Sequence, residues 1–288
     1  MGRNEPLPEA ITRIGLGLLD RAAAALGQPD RDRAAAEALL AIGQSRSMLR
    51  LVSGAIGERI FGFEDARLRE AKDLIEPAND NATLLPALDS LTDLFGERLA
   101  PDAFVSVKAG LAARYRPTGD REVASALEII AAARARYAAF PTDAIGYRFA
   151  AIEPGLRATY SKGQLRMGEA YRHSTDRAFE RWLTQVAYLR DQAAMLDPDW
   201  ATLGLSERLR KVAVALGEAR TLALLRSIVG AEALGEDQDE RELIRLLALG
   251  RCRDIYSQML EVGGRLFADD PADFAERFGT YWSSWRAH

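Results

Sequence analysis

A chain of 288 residues with 38 basic and 42 acidic side chains carries a formal charge of −4. It therefore lacks the overall basic excess through which duplex-binding domains neutralise phosphate. Its length suffices for one large domain or two smaller ones with real cores, and its wealth of alanine, leucine, arginine and glutamate favours helix, because these side chains lose little rotamer freedom there.

The single cysteine, Cys252, excludes an intrachain disulfide and a cysteine-based zinc cluster. It lies in "GRCRD", where flanking arginines favour the thiolate, but a small half-buried helix residue is the expected role. The chain does not open with a basic segment followed by an apolar one, and no apolar run approaches membrane-spanning length. The expectation is a cytoplasmic protein of bacterial type, with no membrane role.

Read in chain order, nearly every segment has helical period. "PEAITRIGLGLLDRAAAAL" sets Ile11, Ile14, Leu18, Ala22 and Ala25 on one stripe, closed by Gly27. Asp30 is placed to cap the next helix, whose stripe runs through Leu39, Ile42, Leu49 and Val52. "FGFEDARLREAKDLI" makes a third, with Pro77 predicted to stop it. Asn79 to Asn81 then offer capping oxygens for "ATLLPALDSLTDLF", where Pro86 predicts a kink.

Pro101 suits a helix start, and "DREVASALEIIAAARARYAAF" follows between Gly119 and Pro141. "PTDAIGYRFAAIEPG", with two prolines and two glycines, is the predicted boundary between residues 1–145 and 146–288. Beyond it come "LRATYSKGQLRMGEAYR", "TDRAFERWLTQVAYLRDQAAML" and a long segment from Glu207. In "GEDQDERE" the carboxylates suit the first turn of a helix, which "LIRLLALGRCRDIYSQMLEVGGRLF" extends. "DPADFAERFGTYWSSWRA" forms the last. No run alternates as a strand would. The expected fold is all-α, as stacked antiparallel helical bundles.

The chain also repeats itself. Placed over "ARLREAKDLIEPANDNATLL" from Ala66, "ERLRKVAVALGEARTLALL" from Glu207 matches Arg67, Leu68 and Arg69 to Arg208, Leu209 and Arg210. It also matches Ala78, Ala82 and Leu84 to Ala219, Ala223 and Leu225. One helix earlier, Arg46 and Arg190 correspond. Similarity at half-chain spacing predicts duplication, hence two bundles related by pseudo-symmetry.

The words "RSMLRLVSGAIG", "LREAKDLIEPANDNATLLPALDSL", "GLRATYSKGQLR", "STDRAFERWLTQVAYLRDQAAML" and "LGEARTLALL", in that order and followed by "YWSSWR", resemble the CHAD family of conserved-histidine α-helical domains. The likeness runs from about Asp30 to Arg286. It implies a duplicated helical domain that is not an enzyme, needs no cofactor, and binds inorganic polyphosphate or a similar anionic polymer between its halves. Basic side chains at i, i+3, i+4 and i+7 share a helix face, and the guanidinium fork suits phosphate oxygens.

Several family positions have departed. Ala36, Leu39, Leu40, Gly43 and Gln44 stand where the first half would carry its histidine and basic residues, and Glu180, Leu183, Thr184, Gln185 and Ala187 stand in the second. Asn79 and Asp80 replace an Arg-Asp pair, and Arg220 and Thr221 its His-Asp counterpart. Both histidines, His173 and His288, fall off the motif. The candidate anion-binding residues are thus Arg46, Arg50, Arg157, Lys162, Arg190 and Arg220, with Arg166 nearby. A more apolar groove containing Glu180 implies weakened polyphosphate binding. The alternative is a diverged scaffold that has lost polyphosphate and binds a protein partner.

Other chemistry lacks nominees. Asp237 with Asp239, and Asp269 with Asp270, sit beside helix starts, where capping accounts for them. No phosphate-loop, metalloprotease or nucleophile-elbow word occurs, and no metal site or sequence-specific nucleic-acid contact is expected. Trp282 and Trp285, three apart on one face, are expected to dock the last helix; exposed, they would anchor a partner. Phe179 and Trp182 are expected in the core.

Overall fold

The computed structural model describes residues 1–100, 103–140, 145–196, 205–231, 234 and 237–287. Within them the chain forms α1 (Leu7–Leu26), α2 (Arg31–Leu51), the short α3 (Ser53–Ile56), α4 (Glu58–Phe95), α5 (Val105–Arg114) and α6 (Asp120–Ala138). It continues with α7 (Glu153–His173), α8 (Asp176–Leu196), α9 (Leu205–Ala231), α10 (Gln238–Leu266) and α11 (Pro271–Ala287). No strand occurs among the described residues, as the composition and the helical stripes require.

Two of the predicted caps operate. The Asp30 carboxylate accepts from the Arg33 amide at the start of α2, and Asp237 accepts from the amides of Asp239 and Glu240 at the start of α10. Gly57 joins α3 to α4 at φ 82°, a left-handed conformation that glycine adopts without a Cβ clash.

The predicted stop at Pro77 is corrected. α4 is one helix of 38 residues that carries both Pro77 and Pro86 in its interior, so Asn79, Asp80 and Asn81 are mid-helix residues and not caps. Each proline removes one backbone donor, but Leu68, Ala71 and Ile75 before the first, and Leu84, Leu88 and Leu91 around the second, are all buried. Packing on both sides holds the helix together through the break. Pro101, Pro141 and His288 lie outside the described residues.

Helix packing places α2, α4, α8 and α9 at the centre. α2 packs on α1, α4, α7 and α8, and α4 packs on α2, α6 and α9. α8 packs on α7, α9 and α2, α6 returns to α1, and α11 returns to α7. One continuous apolar core runs through these helices and includes Phe179 and Trp182, as the sequence predicts. Gly155 marks the closest approach of α7 to α2: a Cβ there would sit 2.2 Å from the carbonyl oxygen of Leu51 and 2.4 Å from that of Arg50. Among the described residues, no helix is long and apolar enough to cross a membrane.

Candidate functional site

The seam where α2 meets α4 and α8 gathers three of the sequence-nominated arginines. Arg46 and Arg50, one turn apart on α2, converge on a single carboxylate of α4. Arg46 Nε donates to Asp65 Oδ1 at 2.8 Å, and Arg50 donates through Nη1 and Nη2 to both oxygens at 2.8 and 2.9 Å. Arg69 adds a third guanidinium, its Nη2 3.0 Å from Asp65 Oδ2. Arg50 lies over the Tyr188 ring of α8 with its guanidinium carbon 4.0 Å from the ring centre, and Arg46 approaches the same ring at 5.8 Å. Three cations on one anion leave a local positive excess, and only Arg69, at 56% side-chain exposure, faces solvent freely.

Burial opposes ionisation of Asp65, but hydrogen bonds from Arg46 and Arg50 outweigh it and bring its pKa down to about 2. The cluster is therefore fully charged at neutral pH.

Arg190 lies on α8 and bonds its own neighbour, Nη2 to Asp191 Oδ1 at 2.7 Å. The other oxygen of Asp191 accepts from the Ser47 hydroxyl of α2 at 3.0 Å. Beside it, Gln192 donates to the Ser47 carbonyl and to Thr159 Oγ1 of α7 at 3.0 and 3.1 Å. These bonds tie α2, α7 and α8 together. Burial holds the Asp191 pKa above the usual carboxylate value, against the pull of Arg190 and the Ser47 hydrogen bond.

Arg220 belongs to a second seam, between α9 and α4. It meets Asp80 with Nη1–Oδ1 and Nη2–Oδ2 distances of 2.8 Å, Glu76 at 3.2 Å and Glu180 of α8 at 3.3 Å. The hydrogen bonds it donates to Asp80 raise its pKa against burial. Glu180, expected from the sequence to repel an anion, here accepts from Arg220. Lys72 pairs with Glu76, so two cations face three carboxylates and this seam is negative.

The remaining candidates lie along α7. Arg157 is exposed, 3.9 Å from Glu153, and Arg166 bonds Glu169 at 2.6 Å. Lys162 is exposed and has no hydrogen bond or ion pair among the described residues. The seven basic candidates thus fall in three groups: three lie at the α2–α8 seam, one at the α4–α9 seam, and three along α7.

The aromatic pair near the C-terminus separates in role. Trp282 is buried against Phe149, ring centres 5.6 Å apart, so it docks α11 and is not an exposed partner anchor. Trp285 is half-buried, with Arg3 over its ring at 5.4 Å. His173 ends α7. Cys252 is buried, and burial pushes its thiol up to about 11, despite the arginines beside it. Among the described residues no group of three or more metal-binding side chains is brought together.

Asp65, Asp191, Glu76, Tyr188 and Ser47 carry no signal in the sequence that joins them to these arginines. The nearest is the i, i+4 spacing of Asp65 and Arg69. Comparison with protein-family models, with curated proteins and with solved structures finds no match.

Proposed function

We propose that this chain is a CHAD-like helical scaffold, not an enzyme, whose two halves each contribute a bundle and whose ancestral anion groove has become an internal ion-pair seam. The paired halves are supported by parallel packing: α1 on α2, α2 on α4 and α6 back on α1, against α7 on α8, α8 on α9 and α11 back on α7. Across the middle, α2 meets its counterpart α8 and α4 meets α9. The division at residues 1–145 and 146–288 follows from that reading.

One observation carries the loss of polyphosphate binding: Arg46, Arg50, Arg190 and Arg220 are each held by a carboxylate of the chain itself. A polyanion would have to displace Asp65, Asp191 and Asp80 from fixed, partly buried hydrogen bonds, and would meet the negative surroundings of Arg220. A scaffold of this kind acts by holding a protein partner. The buried thiol of Cys252 and the engagement of the seam carboxylates in ion pairs support a role without catalysis.

A second reading, weak polyanion binding, is favoured by the positive excess around Asp65 and by Lys162 and Arg157 on α7, which lack close ion pairs. Filter binding of long-chain polyphosphate at low and high salt separates the two. The scaffold reading expects no salt-sensitive complex at micromolar protein. A complex weakened by salt, and lost in Arg46→Ala, Arg190→Ala or Arg157→Ala with Lys162→Ala, would replace it with the second.

A further inference from the structure

The first two turns of α4 and the end of α6 flank a groove of about 430 Å³. This volume falls in the range of roughly 300–1,000 Å³ typical of small-ligand sites. Ile60 and Phe63 of α4 form one wall, and Phe140, just past the end of α6, forms the other. Phe140 packs edge-on against the buried Tyr137, ring centres 4.7 Å apart. Phe63 is 54% exposed, so an apolar body laid along it would gain burial.

Three charged side chains line the groove: Arg59, Glu64 and Arg136. Glu64 is only 3% exposed, and both its oxygens accept from Arg136, Oε1 from Nε and Oε2 from Nη2 at 3.0 Å. Arg136 also lies over Phe63, its guanidinium carbon 5.0 Å from the ring centre, which fixes its charge beside the apolar wall. Arg59 is exposed and has no hydrogen bond or ion pair among the described residues. Its own helix offers it no acid, because Gly62 and Phe63 occupy the positions three and four residues on. Two guanidiniums against one carboxylate leave a single uncompensated positive charge. The polar side chains of the groove therefore present donors, and their one acceptor is buried and engaged.

We infer that this groove binds a small apolar monocarboxylate, its hydrocarbon or aromatic body against Ile60, Phe63 and Phe140 and its carboxylate on Arg59. The planar guanidinium fork matches a carboxylate through two parallel hydrogen bonds, and one negative head balances the one excess charge. A cationic head would meet Arg59 and find no free carboxylate. The groove shares no arginine with the two ion-pair seams, so its ligand is independent of whether a polyanion binds at those seams.

Octanoate, octanol and octylammonium share one apolar body and differ in head group, and they are the probes. Calorimetric titration of the full chain is expected to show one saturable site for octanoate, about tenfold tighter than for octanol, the worth of one charge-assisted hydrogen bond, and weaker binding still of octylammonium. Arg59→Gln, at an exposed and unpartnered position, should bring octanoate down to the level of octanol and leave octanol unchanged. Phe63→Ala, at an exposed ring, should weaken octanoate and octanol alike by about fivefold through lost apolar contact. Both variants should keep the helical circular dichroism of the parent. Absence of a saturable octanoate site, or binding unaffected by Phe63→Ala, overturns the site. Octanol or octylammonium bound as tightly as octanoate, or octanoate indifferent to Arg59→Gln, overturns its assignment to a carboxylate.

Discussion

Arg220 of α9 and Asp80 of α4 face each other fork to fork, with both nitrogen–oxygen distances at 2.8 Å, although 140 residues separate them in sequence. The pair bridges the N- and C-terminal portions of the chain, and its side chains are 28% and 17% exposed. Removing one partner of such a pair leaves the other charge half-buried and poorly hydrated. Arg220→Ala is expected to lower unfolding free energy by about 3 kcal/mol, the lower end of the buried-pair range because water reaches the site. Urea denaturation measures it, and a cycle with Asp80→Asn should show strong non-additivity. Additive losses would mean that the two side chains do not couple.

The two buried aspartates of the α2–α8 region should respond oppositely to pH. Asp65 has a folded pKa lowered to about 2. Its contribution is therefore complete above the ordinary carboxylate range and is lost as pH falls toward 2. Asp191 has a folded pKa raised by burial, so its ionised form detracts from stability above that pKa, and the detraction is relieved on acidification. Asp65→Asn should cost several kcal/mol at neutral pH, roughly 3–5 by the buried-pair rule, and flatten acid unfolding between about pH 4 and 2. Asp191→Asn should cost under about 1 kcal/mol, since Arg190 is exposed enough to rehydrate. Melting curves across that pH range, run side by side, check both.

Glycine substitutions should divide by what surrounds them. At Gly155 a Cβ meets backbone carbonyl oxygens at 2.2 and 2.4 Å, atoms that cannot rotate aside. Gly155→Ala must push α7 away from α2 and is expected to destabilise by roughly 3 kcal/mol or more. At Gly43 of α2 a Cβ meets nothing within 4 Å. Gly43→Ala should stabilise by about 0.5–1 kcal/mol through helix propensity and a less flexible unfolded chain. Thermal melts of the two variants give the contrast directly, and equal effects would mean the α7–α2 approach is looser than described.

The tryptophans of α11 should differ in the same way. Trp282 is 4% exposed beside Phe149, and Trp282→Ala is expected to cost about 3–5 kcal/mol. Trp285, half-buried beneath Arg3, loses a cation–π contact and some packing, about 1 kcal/mol. A protein-partner complex abolished by Trp285→Ala while the fold stays intact would assign the half-buried ring a binding role; loss seen only with Trp282→Ala would reflect undocking of α11.

What the sequence determined by itself is the helical character of the chain, its stripes and several helix ends. Those properties are local. The stripe of Ile11, Leu18, Ala22 and Ala25 and the Asp30 and Asp237 caps depend on side chains within a turn or two of one another, and Phe179 and Trp182 were legible as core for the same reason. Tertiary structure alone decided that α4 continues through Pro77 and Pro86, because buried leucines on both sides supply what the missing amides do not. It alone decided the fate of the arginines. Arg46 meets Asp65 19 residues away, and Arg220 meets Asp80 140 residues away. No helical period encodes which carboxylate a guanidinium will face; the crossing of one helix over another does, and that crossing is set by packing.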